Sequence, residues 1–206
     1  MFLPSSVLYL FATPVYVNVM QTLTEDKKEF IKSLEFESLY SGKGQYTINQ
    51  QLLNLPELKE VKEEVDYHVE NYARDIIKVH TDQQFYLTNS WALRQNKGDW
   101  AHSHHHTNSV FSGVFYLYQD EDFGNLTFEK SSDNIFTKTL DPYYTDFTPM
   151  NSGTWSIQPV ANMIVMFPSI LKHGVEMSRS EKTRYSVAFN YFMKGRFGHK
   201  ESELHL

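Results

Sequence analysis

The sequence predicts a mainly β fold with flanking helices, folded as one domain. Three observations predict it. Past His80 the chain breaks into short runs rich in β-branched and aromatic residues, punctuated by Gly98, Gly124, Gly153 and Gly174, the pattern of a sandwich or barrel. Before His80 two stretches carry helical apolar spacing. The 206 residues are 41% apolar and 15% aromatic, an ordinary globular composition with an aromatic excess that favours sheet. A chain of this length buries roughly 70% of its unfolded surface, enough for one core.

The elements follow in order. Val7 to Val19 reads as an extended strand broken at Pro14. A helical signal begins at Thr22, where Thr22-x-x-Glu25 fits a capping box and Phe30, Ile31 and Leu34 form an apolar face. Residues 41–54 are polar and read as a loop. The second helix starts near Pro56, well suited to a first turn. Its apolar face is Leu58, Val61, Val65, Val69, Tyr72, Ile76 and Val79. Its other face, with Lys59, Glu60, Lys62, Glu63, Glu64 and Glu70, reads as solvated. Strands are expected at Phe85–Arg94, Ser109–Tyr118, Asn125–Glu129, Thr154–Pro159, Met163–Phe167 and Arg184–Met193. Helical support then spans about 22–80 and the β core about 84–193.

Composition excludes several function classes. With no cysteine, a disulfide scaffold, a thiolate metal site and a cysteine nucleophile are ruled out. A net charge of −6 lacks the basic footprint of a nucleic-acid partner. The apolar first twenty residues contain no Lys or Arg and are interrupted by Pro4 and Pro14. They fit neither a signal peptide nor a membrane span, so the expected location is cytoplasmic (the host's cytoplasm if the source is viral), with no membrane partner.

Nine histidines are modest in number, but four fall at 102, 104, 105 and 106. The segment AHSHHHTNSVFSGVFYL runs into a strand. If that strand is continuous, His102, His104, His106, Asn108, Ser112 and Tyr116 share one face, with His105, Phe111 and Phe115 opposite. Two histidines at i and i+2 on a strand can bind one metal, and imidazole suits Fe, Zn, Cu or Ni. His173, beside Gly174, is the candidate third ligand. His68, His80, His199 and His205 read as surface or structural. Farther on, Arg184, Ser186, Ala188 and Asn190 share a strand face opposite Tyr185, Val187, Phe189 and Tyr191. An Arg and a Ser on one face can clamp a carboxylate.

These residues together resemble the Fe(II)/2-oxoglutarate-dependent oxygenases. The likeness lies in His-x-His, a strand ending Phe-Tyr116-Leu, Gly124-x-Leu-x-Phe128, Phe-Pro before His173, and Arg184-x-Ser186. More narrowly it resembles a small bacterial and phage group reading His-x-His-Pro-Asn-Ser-x-x-Ser-Gly-Val-Tyr-Tyr-Leu. Residues 104–117 here read HHHTNSVFSGVFYL, and LFATPVYV at 10–17 matches the group's opening. The resemblance implies a double-stranded β-helix (a jelly roll, cupin-like) and Fe(II) held by His104, His106 and His173. It implies 2-oxoglutarate as small-molecule cosubstrate, bound by Arg184, Ser186, Tyr116 and Asn108, and O2 as oxidant. Trp91, Arg94 and Asn190 are expected to line a substrate pocket.

The usual pattern of the family has Asp or Glu where His106 stands, so the expected ligand set is all-histidine. His102 with His104 is the rival pair. The implied reaction couples oxidative decarboxylation of 2-oxoglutarate to hydroxylation of a protein side chain, a nucleotide or a metabolite. A three-histidine cupin-like metalloenzyme without 2-oxoglutarate and an inactive jelly-roll binding protein are the alternatives. Lys130 to Ser152, with Tyr143, Tyr144 and Phe147, is expected to overhang the pocket.

Overall fold

The computed structural model describes residues 12–40, 43–130 and 143–206. In chain order the strands are β1 (Tyr16–Val19), β2 (Phe36–Ser38), β3 (Gln45–Thr47), β4 (Gln84–Gln95), β5 (Ala101–His104), β6 (Phe111–Tyr116) and β7 (Leu126–Glu129). They continue with β8 (Thr154–Ile157), β9 (Met163–Pro168), β10 (His173–Val175), β11 (Arg184–Lys194), β12 (Arg196–Phe197) and β13 (Leu204–His205). The helices are α1 (Glu25–Lys32) and α2 (Lys59–Asn71). A seven-stranded sheet ordered β1-β9-β6-β11-β4-β3-β2 faces a four-stranded sheet ordered β5-β10-β7-β8. All named strand pairs are antiparallel. The mainly β fold with flanking helices is therefore present, as the jelly roll expected.

Two cores result from the period-2 alternation of the large sheet. One face packs Ala92, Phe115, Met166, Val187, Phe189 and Tyr191 against Ile31, Val61, Val65, Val69 and Tyr72 of the helical side. The other face packs Val114, Tyr116, Val165 and Phe167 against Leu126, Phe128 and Leu171, between the two sheets. Each fully buried aliphatic or aromatic side chain contributes roughly 1.5–3 kcal/mol of transfer free energy. Together these contacts fix the distance between the sheets, and with it the interior of the barrel.

Several expectations for the first half need correction. Of the strand expected at 7–19, residues 7–11 lie outside the described residues, and pairing begins only at Tyr16. The Thr22–Glu25 capping box does not form; the N-cap lies two residues later, at Thr24, and α1 starts at Glu25. Thr22 instead donates its amide (2.8 Å) and hydroxyl (2.6 Å) to Glu64 Oε2, while the Gln21 amide donates to Oε1 (2.6 Å). Glu64 is thus not a merely solvated charge: it anchors the chain entering α1. Where 41–54 read as a loop, β3 forms a hairpin with β2 and a 3-10 turn covers Leu52–Asn54. On α2 the 3/4 spacing holds through Val69 and Tyr72. A π turn over Tyr72–Ile76 then adds a residue to the turn, burying Ala73 and leaving Ile76 exposed. Val79 lies beyond the helix, partly buried against the core.

His68, on the buried side of α2, is structural. Its Nδ1 lies 2.8 Å from the Tyr16 hydroxyl, and its buried Nε2 has no hydrogen-bond partner, with Glu64 Oε1 3.8 Å away. Burial lowers its pKa below 6.5, and the charge of Glu64 only partly opposes this. Below pH 6.5 the unfolded chain therefore binds a proton that the folded chain refuses, and stability falls as pH drops towards the folded-state pKa. The slope reaches at most about 1.4 kcal/mol per pH unit for this group. Urea unfolding at pH 7.5 and 5.5 measures it. The His68→Gln variant is expected to show a shallower pH dependence, and an identical dependence in both proteins would contradict the assignment.

Candidate active site

The histidine segment does not run on as one strand. β5 ends at His104, and the chain crosses from the small sheet to the large one over residues 105–110 before β6 begins at Phe111. Asn108 turns this crossover with φ 57°, a left-handed value that Asn tolerates better than most residues. It is exposed, and among the described residues no hydrogen bond or ring contact ties it to the histidines. The expected continuous face is thus interrupted. His102 is also exposed, its ring edge-on to Trp100 at 4.2 Å, and His105 is exposed.

His104, His106 and His173 come together from three directions. His173 opens β10 and pairs directly with His104 of β5 on one side and Phe128 of β7 on the other. His106, in the crossover, is fixed by its amide donating to the Ser169 carbonyl at 2.9 Å. The ring centroids lie 4.5 Å apart for His104–His173, 5.0 Å for His106–His173 and 5.1 Å for His104–His106. One nitrogen from each lies within 4.8 Å of the others, a grouping that can hold a metal ion.

The outward nitrogens are engaged. His104 Nδ1 lies 2.7 Å from the His102 carbonyl and His173 Nδ1 lies 2.9 Å from the Leu171 carbonyl. A carbonyl only accepts, so each Nδ1 carries the proton and each Nε2 keeps a lone pair. His106 Nδ1 lies 2.6 Å from Asn190 Oδ1. The Nε2 atoms of His104 and His106 face each other at 3.2 Å. Engagement of the distal nitrogen is the support a ligating imidazole requires. Burial, against the pull of the Leu171 carbonyl, lowers the His173 pKa to about 3, and burial lowers that of His106 too. Both rings are neutral at neutral pH, the form that binds metal.

A second set of buried polar groups stands on β6 and β11. Arg184, 2% exposed, opens β11; its Nη1 donates to the Gly124 carbonyl at 2.7 Å and its guanidinium lies 5.3 Å over the Tyr116 ring. Among the described residues no carboxylate pairs with it, and its Nε has no partner. Ser186 Oγ and Tyr116 Oη are buried and equally unpartnered. Burial pushes the Tyr116 pKa up, while Arg184 pulls the other way, so the hydroxyl remains a donor. A buried, unpaired guanidinium beside two idle hydroxyls is costly unless an anion completes it. These donors fit a carboxylate, as three convergent imidazoles fit a divalent cation.

The remaining expected pocket residues divide. Trp91 faces the interior, its ring 6.0 Å from that of His106. Arg94 is on the opposite face of β4, bonded through Nε to Gln45 Oε1 at 2.8 Å and stacked over Phe36 at 4.6 Å; alternation along the strand turns it away from the barrel. Asn190, 6% exposed, sits behind His106. Asn89 and Ser169, which join it there, were not singled out from sequence; the parity shared by Asn89 and Trp91 is the signal that points to the first. Of the stretch expected to overhang the pocket, residues 131–142 lie outside the described residues. Phe147 and Trp155, both exposed, line a cavity of about 440 Å³ along β8.

Among the described residues no helix is long and apolar enough to cross a membrane. Residues 89–190 match a family model described as "Putative 2OG-Fe(II) oxygenase". No curated protein matches the chain. Among solved structures it is similar to HygX from Streptomyces hygroscopicus with nickel, 2-oxoglutarate and hygromycin B bound. The identity is 15%, over 87% of this chain and 83% of that one, with a TM-score of 0.62. It is likewise similar to a Pseudomonas putida prolyl-4-hydroxylase, with 13% identity over 88% and 94% of the two chains and a TM-score of 0.59. The α-ketoglutarate-dependent epimerase SnoN of nogalamycin biosynthesis matches with 11% identity over 87% and 78%, at a TM-score of 0.61. These likenesses are of fold. The matched segment carries His104, His106, His173, Tyr116, Arg184 and Ser186, and over it the chain matches the 2OG-Fe(II) oxygenase family model.

Proposed function

We propose that the protein is an Fe(II)- and 2-oxoglutarate-dependent oxygenase that hydroxylates a substrate still to be identified. The observation that carries this reading is the buried Arg184 with its unpartnered Nε, beside the idle hydroxyls of Ser186 and Tyr116, in the same barrel as three convergent histidines. A three-histidine metalloenzyme without 2-oxoglutarate has no use for that second cluster, and neither has an inactive jelly roll.

His104, His106 and His173 would hold the iron through Nε2. Arg184, Ser186 and Tyr116 would hold the distal carboxylate of 2-oxoglutarate. When bound, the metal with its cosubstrate and O2 supplies the oxidising chemistry, in which 2-oxoglutarate leaves as succinate and CO2. The chain's own task is geometric and electrostatic. Arg184 offers charged donors in a fixed planar fork, which orients a carboxylate as well as binding it. Tyr116 and Ser186 add neutral donors to the same oxygens. Val114, Phe128 and Phe167 wall this interior and keep bulk water from the carboxylate. Trp91, beside His106, would meet a substrate that approaches the metal.

The founding test is conversion of 2-oxoglutarate to succinate by the purified protein with Fe(II) and O2. Slow uncoupled turnover is expected without substrate. Arg184→Leu is expected to weaken 2-oxoglutarate binding by about 2–5 kcal/mol, roughly 30-fold or more, because it removes one partner of a buried charged pair. Its ligand-free stability is expected to hold or rise, since an unpaired buried charge disappears. Equal 2-oxoglutarate affinity in variant and parent would sink the assignment of the anchor.

Tyr116→Phe removes only a hydroxyl. It is expected to raise the KM for 2-oxoglutarate by roughly 2–10-fold, one hydrogen bond's worth at about 0.5–1.5 kcal/mol, with kcat little changed. Steady-state succinate release over a cosubstrate titration measures both. A fall in kcat at unchanged KM would place the hydroxyl at the chemistry instead of at the anchor.

A further inference from the structure

The three histidines differ in how their outer nitrogens are held. His104 and His173 face backbone carbonyls, which only accept, so the fold itself fixes their tautomers. His106 faces side chains. Its Nδ1 lies 2.6 Å from Asn190 Oδ1 and 3.0 Å from Ser112 Oγ. Both a primary amide and a hydroxyl can accept or donate, so nothing in the backbone decides which ring nitrogen keeps the proton. The competing tautomer is at hand: a proton on His106 Nε2 would point at His104 Nε2, 3.2 Å away, and close the site against a cation.

The choice is made one step farther out. Asn190 Nδ2 donates to Asn89 Oδ1 at 2.9 Å. With its nitrogen committed there, the amide turns its oxygen towards His106. Ser112 donates to that same oxygen at 2.7 Å and lies 2.8 Å from Ser169 Oγ. Ser112, Ser169 and Asn190 are 1%, 2% and 6% exposed, so water does not compete. The β4–β11 ladder also shifts register here: Asn190 pairs with Asn89, but Tyr191 pairs with Leu87. The residue skipped, Thr88, donates its hydroxyl to the Asn190 carbonyl at 3.0 Å. A bulge of this kind re-aims side chains next to a site, and this one sets Asn89 squarely against Asn190.

We propose that Asn190, pinned by Asn89, is a positioning residue that sets the tautomer of His106 and so keeps its Nε2 lone pair turned towards His104 and His173. The inference rests on the metal-centre reading above, and its two readouts separate the one from the other.

The experiment uses the whole protein, as parent, Asn190→Leu and Asn190→Asp. Proton-detected ¹⁵N NMR of the metal-free proteins reports which nitrogen of His106 is protonated, and Co(II) titration reports affinity. The parent and the Asp variant are expected to hold the proton on Nδ1, since a carboxylate also only accepts. The Leu variant is expected to show His106 protonated at Nε2 and to bind Co(II) roughly 10–100-fold more weakly. A Leu variant with unchanged tautomer and affinity overturns the proposal. If that variant does not fold, Asn89→Ala removes the pin from the far side. It is expected to give mixed His106 tautomers and several-fold weaker Co(II) binding, and an unchanged tautomer there overturns the proposal equally. A parent that binds no Co(II) refutes the metal-centre reading, while the tautomer comparison still decides the role of Asn190.

Discussion

β11 is held between β4 and β6, and the rest of the molecule depends on that pairing. Its odd positions, Val187, Phe189 and Tyr191, enter the core shared with the helices. Its even positions, Arg184, Ser186 and Asn190, enter the barrel. A one-residue slip of this strand would exchange the two sets: it would bury aromatic rings in the polar interior and drive an arginine into the apolar core. Register is therefore over-determined, and the site inherits its precision from apolar packing on the far face of the same strand.

The same strand spaces the two halves of the site. Arg184 and Asn190 stand six residues apart on one face, so the buried guanidinium and the support of His106 are parts of one rigid element. β10 ties the other side, because His173 is paired in register with both His104 and Phe128. Of these three histidines only His106 is carried by irregular chain, and it is the one whose outer nitrogen meets side chains. His104 and His173 are each held by the carbonyl two residues back, of His102 and of Leu171, whereas His106 is held by side chains.

Much of this was legible in the sequence, for identifiable reasons. The strands from Phe85 onward are apolar and alternating, and their parity alone places Arg184 and Ser186 on one face and Val187 and Phe189 on the other. Likewise α2 shows its face through Val61, Val65 and Val69. The β2–β3 hairpin was not legible, because Phe36-Glu-Ser and Gln45-Tyr-Thr are short and mixed, and pairing with β4 stabilises them. The break after His104 was hidden because a run of polar residues has no period to interrupt. The capping box at Thr22 failed because a tertiary acceptor, Glu64, competes for the threonine. Glu64 and Asn89 show the common difficulty: sequence spacing describes neighbours within one element, whereas these partners come from different elements.

Charge narrows what the interior can receive. Three neutral imidazoles would leave a divalent ion held between them its whole 2+ charge, where a carboxylate ligand would cancel one unit. At the other pole Arg184 adds a further positive charge with no acidic partner among the described residues. Around a buried guanidinium such charges interact far more strongly than at the surface. A ligand with one carboxylate would satisfy one pole and leave the other bare. A dicarboxylate that spans both would neutralise the metal end and pair the guanidinium together. If His106 is a metal ligand, it would make the site more dependent on a dianionic cosubstrate than a carboxylate there would, and such a cosubstrate would complete the electrostatics between the imidazoles and Arg184.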